Sequence, residues 1–128
     1  MAVTKLTVVI PCYNEEKTLA AIVERVLAAD RCGLGIEIVI VDDASRDRSV
    51  EVAKDLAARH PEIVTAGHAL NQGKGAALRT GFAKATGDIV LVQDADLEYN
   101  PNDYPKLLSP IIGNRADVVF GSRFRGGE

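Results

Sequence analysis

The sequence predicts an α/β fold, a three-layer α/β/α sandwich around a mostly parallel sheet, and three observations carry that prediction. Short β-branched runs alternate with segments of helical periodicity, as they do where each strand returns to the sheet through a helix. The run at residues 36–41 is almost continuously apolar, which suits a strand buried on both faces, and a further apolar run stands at 89–92. Polar residues cluster where the runs end, and in such sheets ligands collect at the carboxyl ends of strands.

The elements follow in order. Residues 6–10 form a first strand, and after Pro11-Cys12-Tyr13-Asn14 the apolar positions Leu19, Ile22, Val23, Val26 and Leu27 recur at i, i+3, i+4, i+7 and i+8. Asn14 is the expected cap of that helix, with Glu15 and Glu16 in its first turn complementing the dipole. Cys32-Gly33-Leu34-Gly35 closes the unit. A second strand at 36–41 leads to a helix over 47–60 with Val50, Ala53, Leu56 and Ala57 on one side, and Pro61 ends it. Residues 63–66 form a short strand. Asn71-Gln72-Gly73-Lys74-Gly75 then enters a helix carrying Leu78, Phe82 and Ala85. Strands at 89–92 and 118–120, separated by a helix near 104–112, complete one domain.

Composition narrows the function. The chain has 128 residues, 47% hydrophobic, which suffices for one core. A net charge of −3 with scattered Lys and Arg argues against a nucleic-acid partner. No apolar run reaches the roughly 18 to 20 residues of a membrane span, and residues 1–5 do not read as a signal peptide, so a cytoplasmic chain is expected. Cys12 and Cys32 have neither metal-ligand nor redox-pair spacing and read as reduced, structural thiols.

The most informative segment is Asp94-Ala95-Asp96, at the junction of an apolar run and a turn-rich stretch. Residues two apart on an extended backbone point to the same side, so both carboxylates can face one ligand. Two such anions repel unless compensated, and a hard divalent ion is the natural compensator. Tyr13-Asn14-Glu15, Asp42-Asp43-Ala44-Ser45 and Gly121-Ser122-Arg123 stand at other strand ends, so carboxylates and a guanidinium are expected on one edge of the sheet.

Val9-Ile10-Pro11-Cys12-Tyr13-Asn14-Glu15, Ile40-Val41-Asp42-Asp43-Ala44-Ser45, Asn71-Gln72-Gly73-Lys74-Gly75, Asp94-Ala95-Asp96 and Gly121-Ser122-Arg123 together resemble the ordered motifs of family 2 glycosyltransferases. Residues 93–98 and 121–124 most resemble the dolichyl- or polyprenyl-phosphate mannosyltransferase branch and its glucosyl relatives. The resemblance implies the GT-A fold and a metal-dependent inverting transfer from a nucleoside-diphosphate sugar, of GDP-mannose or UDP-glucose type. It implies a lipid-phosphate or other glycosyl acceptor, with action at the cytoplasmic face of the membrane.

By the same resemblance Pro11, Tyr13, Glu15, Val41 and Asp43 line the nucleoside pocket. Asp43 would accept from the base, and Asp42 would be structural. Asp94, Ala95, Asp96 and Arg123 fall at substrate-binding positions, and Asp94, Asp96 and Arg123 are the catalytic candidates. Asp96, Glu98 and Asp94 are the implied ligands of Mg²⁺ or Mn²⁺, Glu98 standing where relatives carry Gln. Family members run well past the Gly-Ser-Arg segment, so residues 1–128 are expected to form a donor-binding portion with little transferase activity of its own.

Blander readings hold elsewhere. Gly67 to Gly75 is a poor Walker loop, with the wrong spacing and Gly75 where Ser or Thr would hold magnesium; Lys74 at a glycine-rich helix entry could equally meet a phosphate or merely follow a tight turn. His68 is read as unpaired, and Arg46, Asp47 and Arg48 as a solvated helix entry. Two competitors also place acidic residues at strand ends, a haloacid-dehalogenase-like phosphatase and a receiver-like Mg²⁺-binding module, but both put their acidic motifs after the first strand.

Overall fold

The side chains of β1 (Lys5–Cys12) alternate between two apolar layers, and the computed structural model shows what each layer is. It describes residues 4–95, 101, 104–106, 108 and 118–120. Leu6, Val8 and Ile10 of β1, Ile38 and Ile40 of β2 (Gly35–Asp42) and Ile89 and Leu91 of β4 (Ile89–Val92) face one side, buried against α1 (Leu19–Ala28) and α2 (Ser49–Arg59). Val9, Val39 and Val41 face the other side, where α3 (Lys74–Lys84) covers them through Ala77. Each such aliphatic side chain contributes about 1.5–3 kcal/mol on burial. This is the expected three-layer sandwich.

β3 (Ile63–Gly67) and β5 (Val118–Phe120) complete a five-stranded sheet of order β3-β2-β1-β4-β5. Every pairing in it is parallel. The chain moves outward from β1 through β2 to β3, then crosses to the other side of β1 for β4. That reversal opens a crevice at the carboxyl ends of β1 and β4. Of the helix expected over 104–112, residues 104–106 and 108 are helical, with Tyr104 and Leu108 fully buried, and its remaining positions lie outside the described residues. Among the described residues no helix is long and apolar enough to cross a membrane.

One local expectation is corrected. α1 starts at Leu19, with no acidic residue in its first turn and Thr18 rather than Asn14 at its N-cap position. Asn14 instead adopts φ 56, a left-handed conformation that Asn tolerates better than most residues. Its Oδ1 accepts the Arg46 N–H at 2.8 Å, a partner from the loop after β2 that the local sequence does not reveal.

Two glycines permit close approach. A Cβ on Gly81 would collide with Val9 Cγ1, so the small residue lets α3 sit directly on the sheet. At Gly87 a Cβ would lie 2.6 Å from Thr7 Oγ1 and 2.7 Å from the Thr7 backbone nitrogen, which belongs to the central strand and cannot yield. Gly87→Ala is therefore expected to cost about 3 kcal/mol of stability, at the upper end of ordinary overpacking, measurable by chemical denaturation. Unchanged stability would contradict this packing.

Candidate active site

Four strand exits converge on one cavity of about 540 Å³ at the carboxyl edge. Pro11, Cys12, Tyr13 and Glu15 reach it from β1, and Asp43 from β2. Asn71, Gly73, Lys74 and Ala77 reach it from the segment that joins β3 to α3, and Asp94 and Ala95 from β4. The volume falls within the usual range of small-ligand pockets.

The loops after β1 and β2 are laced to one another. The Asn14 N–H donates to Ser45 Oγ at 2.9 Å, the Glu15 N–H to Ser49 Oγ at 2.8 Å, and the Glu16 N–H to Asp47 Oδ2 at 3.1 Å. Asp47 is thus a structural bracket. Burial raises its pKa, but the Ser49 hydroxyl and backbone N–H and the Glu16 N–H outweigh that, and the net shift is downward. Asp42 accepts from the Ser45 N–H at 2.9 Å and from its hydroxyl, so it folds the turn back on itself, as expected. Ala44, at φ 62, occupies the left-handed region where a residue with a Cβ is strained, a feature common beside ligand sites.

Asp43 is the best-held carboxylate on the wall, only 4% exposed. Its Oδ1 accepts from His68 Nδ1 at 2.8 Å and from the Gln72 N–H at 2.9 Å, and its Oδ2 accepts from the Gly73 N–H at 2.8 Å. Burial alone would raise its pKa; the His68 contact and the two backbone donors overcome it, and the carboxyl titrates below its ordinary 3.8. His68 is therefore not unpaired. Strand register explains why: Asp42 pairs with Gly67, which sets the next residues, Asp43 and His68, side by side.

On the opposite wall, Gln93 is fully buried, its N–H donating to Val9 O at 2.9 Å and its Oε1 accepting from Tyr104 Oη at 2.8 Å. This anchor ends β4 and turns the chain outward at Asp94. Asp94 Oδ1 lies 2.7 Å from Lys74 Nζ, an ion pair between two residues that line the cavity. Thr18 Oγ1 lies 2.6 Å from the Ala95 carbonyl and 2.9 Å from Glu15 Oε2, and its single proton serves one of them at a time. The Asp94 segment and the Glu15 side are thereby linked.

Of the residues singled out in the sequence, Pro11, Tyr13, Glu15, Asp43, Asp94 and Ala95 share this cavity. Tyr13 is 43% exposed and presents an open ring. Val41 is fully buried with Val9, Val39 and Ala77, one layer behind the lining. Asp96, Glu98 and Arg123 lie outside the described residues. Cys12, Ala77, Asn71 and Gly73 were missed as lining residues. The signal for the last two was available, since Asn71-Gln72-Gly73-Lys74 leaves β3 at the same edge. Cys12 is a structural thiol: burial, chiefly, pushes it to about 11, so it stays protonated and unreactive near neutrality.

A divalent ion would find a suitable donor here. Asp94 offers a hard carboxylate oxygen that already faces a cation, the Lys74 ammonium. Among the described residues no group of three or more His, Cys, Asp and Glu comes together as a metal cluster, and the other two expected ligands fall outside them.

Comparison with known proteins follows the same line. The family model described as glycosyl transferase family 2 matches residues 7–128. A dolichol-phosphate mannosyltransferase of Pyrococcus furiosus is 40% identical over 125 residues, covering 97% of this chain and 35% of the relative. An undecaprenyl-phosphate 4-deoxy-4-formamido-L-arabinose transferase of Pectobacterium atrosepticum is 43% identical over 131 residues, covering 92% of this chain and 40% of the relative. The chain thus spans well under half the length of these curated relatives. Among solved structures, a mannosyltransferase of Pyrobaculum calidifontis in complex with GDP-Man and Mn²⁺ matches with a TM-score of 0.67 and 31% identity, over 77% of this chain and 29% of its own.

Proposed function

This chain belongs to glycosyl transferase family 2, and from that premise we propose that its cavity is the donor side of an inverting hexosyltransferase that moves a sugar from a nucleoside diphosphate to a polyprenyl or dolichyl phosphate. Family membership sets aside the phosphatase and receiver readings. The observation that carries the proposal is the convergence of four strand exits on one cavity with Asp43 at one side and Asp94 at the other. A nucleoside diphosphate needs such separated acceptor and phosphate zones. The names of the two relatives support a lipid-phosphate acceptor, and the GDP-Man and Mn²⁺ complex of the Pyrobaculum calidifontis enzyme supports a metal-assisted nucleotide-sugar donor.

Each residue then has a task. Tyr13 offers a flat face to base or ribose, Glu15 accepts from ribose hydroxyls, and Asp43 accepts from a base N–H, with Pro11 and Val41 shaping the pocket. Asp94 faces the sugar or ribose side, and Arg123 brings a fork of donors suited to a diphosphate. Asp96 and Glu98, with Asp94, would hold Mg²⁺ or Mn²⁺, whose charge would counter the negative charge gathering on the departing diphosphate. The acceptor attacks the anomeric carbon from the opposite face, so configuration inverts. A lipid phosphate is already ionised and requires no general base.

A thermal-shift panel of GDP, UDP, GDP-mannose and UDP-glucose, each with Mn²⁺ or Mg²⁺, tests this reading. Selective stabilisation of several degrees by one donor pair is the expected result, since a ligand at about a hundredfold its Kd adds about 2.7 kcal/mol. No stabilisation by any of the four would overturn it.

A further inference from the structure

Among the described residues, the His68 side chain ties the Asp43 carboxylate to Thr80 of α3. Its backbone N–H donates to Asp42 O at 3.0 Å, its Nδ1 meets Asp43 Oδ1 at 2.8 Å, and its Nε2 meets Thr80 Oγ1 of α3 at 2.8 Å. The imidazole is only 8% exposed. Because an ionised Asp43 can only accept, Nδ1 carries a proton, and in the neutral ring the Thr80 hydroxyl donates to Nε2. Both nitrogens are thus engaged, and the ring cannot turn without breaking two contacts.

The consequence falls on Asp43. With its Oδ1 already accepting twice, the unused acceptor position of the carboxylate is on Oδ2, which takes only the Gly73 N–H. Asp43 lines the cavity, so one acceptor position is available to a ligand there. That matches the single ring N–H that a uracil or guanine base presents.

We propose that His68 is a positioning residue for base recognition, fixing Asp43 so that its remaining acceptor meets a nucleobase N–H; this rests on the nucleoside-pocket reading given under Proposed function. His68 reaches the cavity through Asp43, and its hydrogen bonds go to Asp43 and Thr80 while Asp94 pairs with Lys74, so its effect should fall on the nucleoside rather than on the diphosphate. A purely structural histidine would affect both alike.

Calorimetric titration of this chain with UDP, GDP and inorganic pyrophosphate, all with Mn²⁺, separates the two. In His68→Ala the affinity for the preferred nucleotide is expected to fall about tenfold or more, the scale of one hydrogen bond to a charged group, while pyrophosphate affinity stays within about twofold. His68→Asn, whose amide nitrogen sits near the Nδ1 position, should recover most of the loss. If His68→Ala does not fold, His68→Gln, which reaches towards Thr80 but not Asp43, should show the same selective loss. Equal losses for nucleotide and pyrophosphate, or no loss, would overturn the positioning role. A wild-type chain that binds nucleotide no better than pyrophosphate would instead overturn the nucleoside-pocket reading, and this proposal with it.

Discussion

Asp43→Ala is expected to weaken nucleotide binding by tenfold or more and to lower stability by about 2–4 kcal/mol. Three donors converge on this carboxylate, the Gln72 and Gly73 N–H groups and His68 Nδ1. Leaving a buried donor unsatisfied costs about 1–3 kcal/mol, and partial access of water to the loop keeps the sum below three full penalties. The same deletion removes the acceptor proposed for the base. Its pH signature is distinctive. The folded pKa of Asp43 lies below the unfolded 3.8, so its contribution is complete above that value and is lost as pH falls through the folded value. The variant lacks this contribution, and its stability should fall less steeply on acidification than that of the wild type. Denaturant unfolding at neutral and acid pH measures both effects. Equal acid slopes would contradict the assignment.

Asp96→Ala is expected to abolish the Mn²⁺ or Mg²⁺ dependence of nucleotide binding, with a loss of about a hundredfold or more in the presence of metal. Removing a mere outer-shell partner of a metal ligand typically costs 10- to about 100-fold, so a direct carboxylate ligand should cost at least as much. The two substitutions should divide the site cleanly. Asp43→Ala should keep the metal dependence and lose base affinity, whereas Asp96→Ala should keep the preference between GDP and UDP and lose the response to metal. Titrations of each variant with and without chelator give the comparison. Retained metal dependence in Asp96→Ala would remove that residue from the proposed ligand set.

Local patterns were legible wherever a side chain's fate depends on its own segment. The nearly continuous apolar run at 36–41 showed a strand buried on both faces, with Ile38 and Ile40 on one side and Val39 and Val41 on the other, and the i, i+3, i+4 spacing of Leu19, Ile22 and Val23 showed the buried face of α1. The gathering of Tyr13, Glu15, Asp43 and Asp94 followed from a topological rule, that ligands collect at the carboxyl edge. What escaped were partners set by register. His68 looked unpaired because its neighbour Asp43 lies 25 residues earlier, and only the Asp42 to Gly67 pairing brings them together. Asn14 looked like a helix cap because its true partner, the Arg46 N–H, belongs to another loop. Lys74 was poised between phosphate contact and simple turn, and the structure gives it a partner neither reading named, Asp94.

The Lys74–Asp94 ion pair also bears on how the site takes its ligand. The Lys74 ammonium lies 2.7 Å from the Asp94 carboxylate and offsets its charge. Under the ligand set proposed above, a divalent ion beside Asp94 would compete with Lys74 and leave that ammonium for the diphosphate. Donor and metal binding should therefore be mutually reinforcing.

Calorimetric titration of GDP and UDP into this chain, with Mn²⁺ and again with the metal chelated, tests the central claim most directly. Saturable binding of one nucleotide that is at least tenfold tighter with metal is the predicted result. No measurable affinity for either nucleotide in the presence of Mn²⁺ or Mg²⁺ would contradict the assignment of this cavity as a nucleotide-sugar donor site.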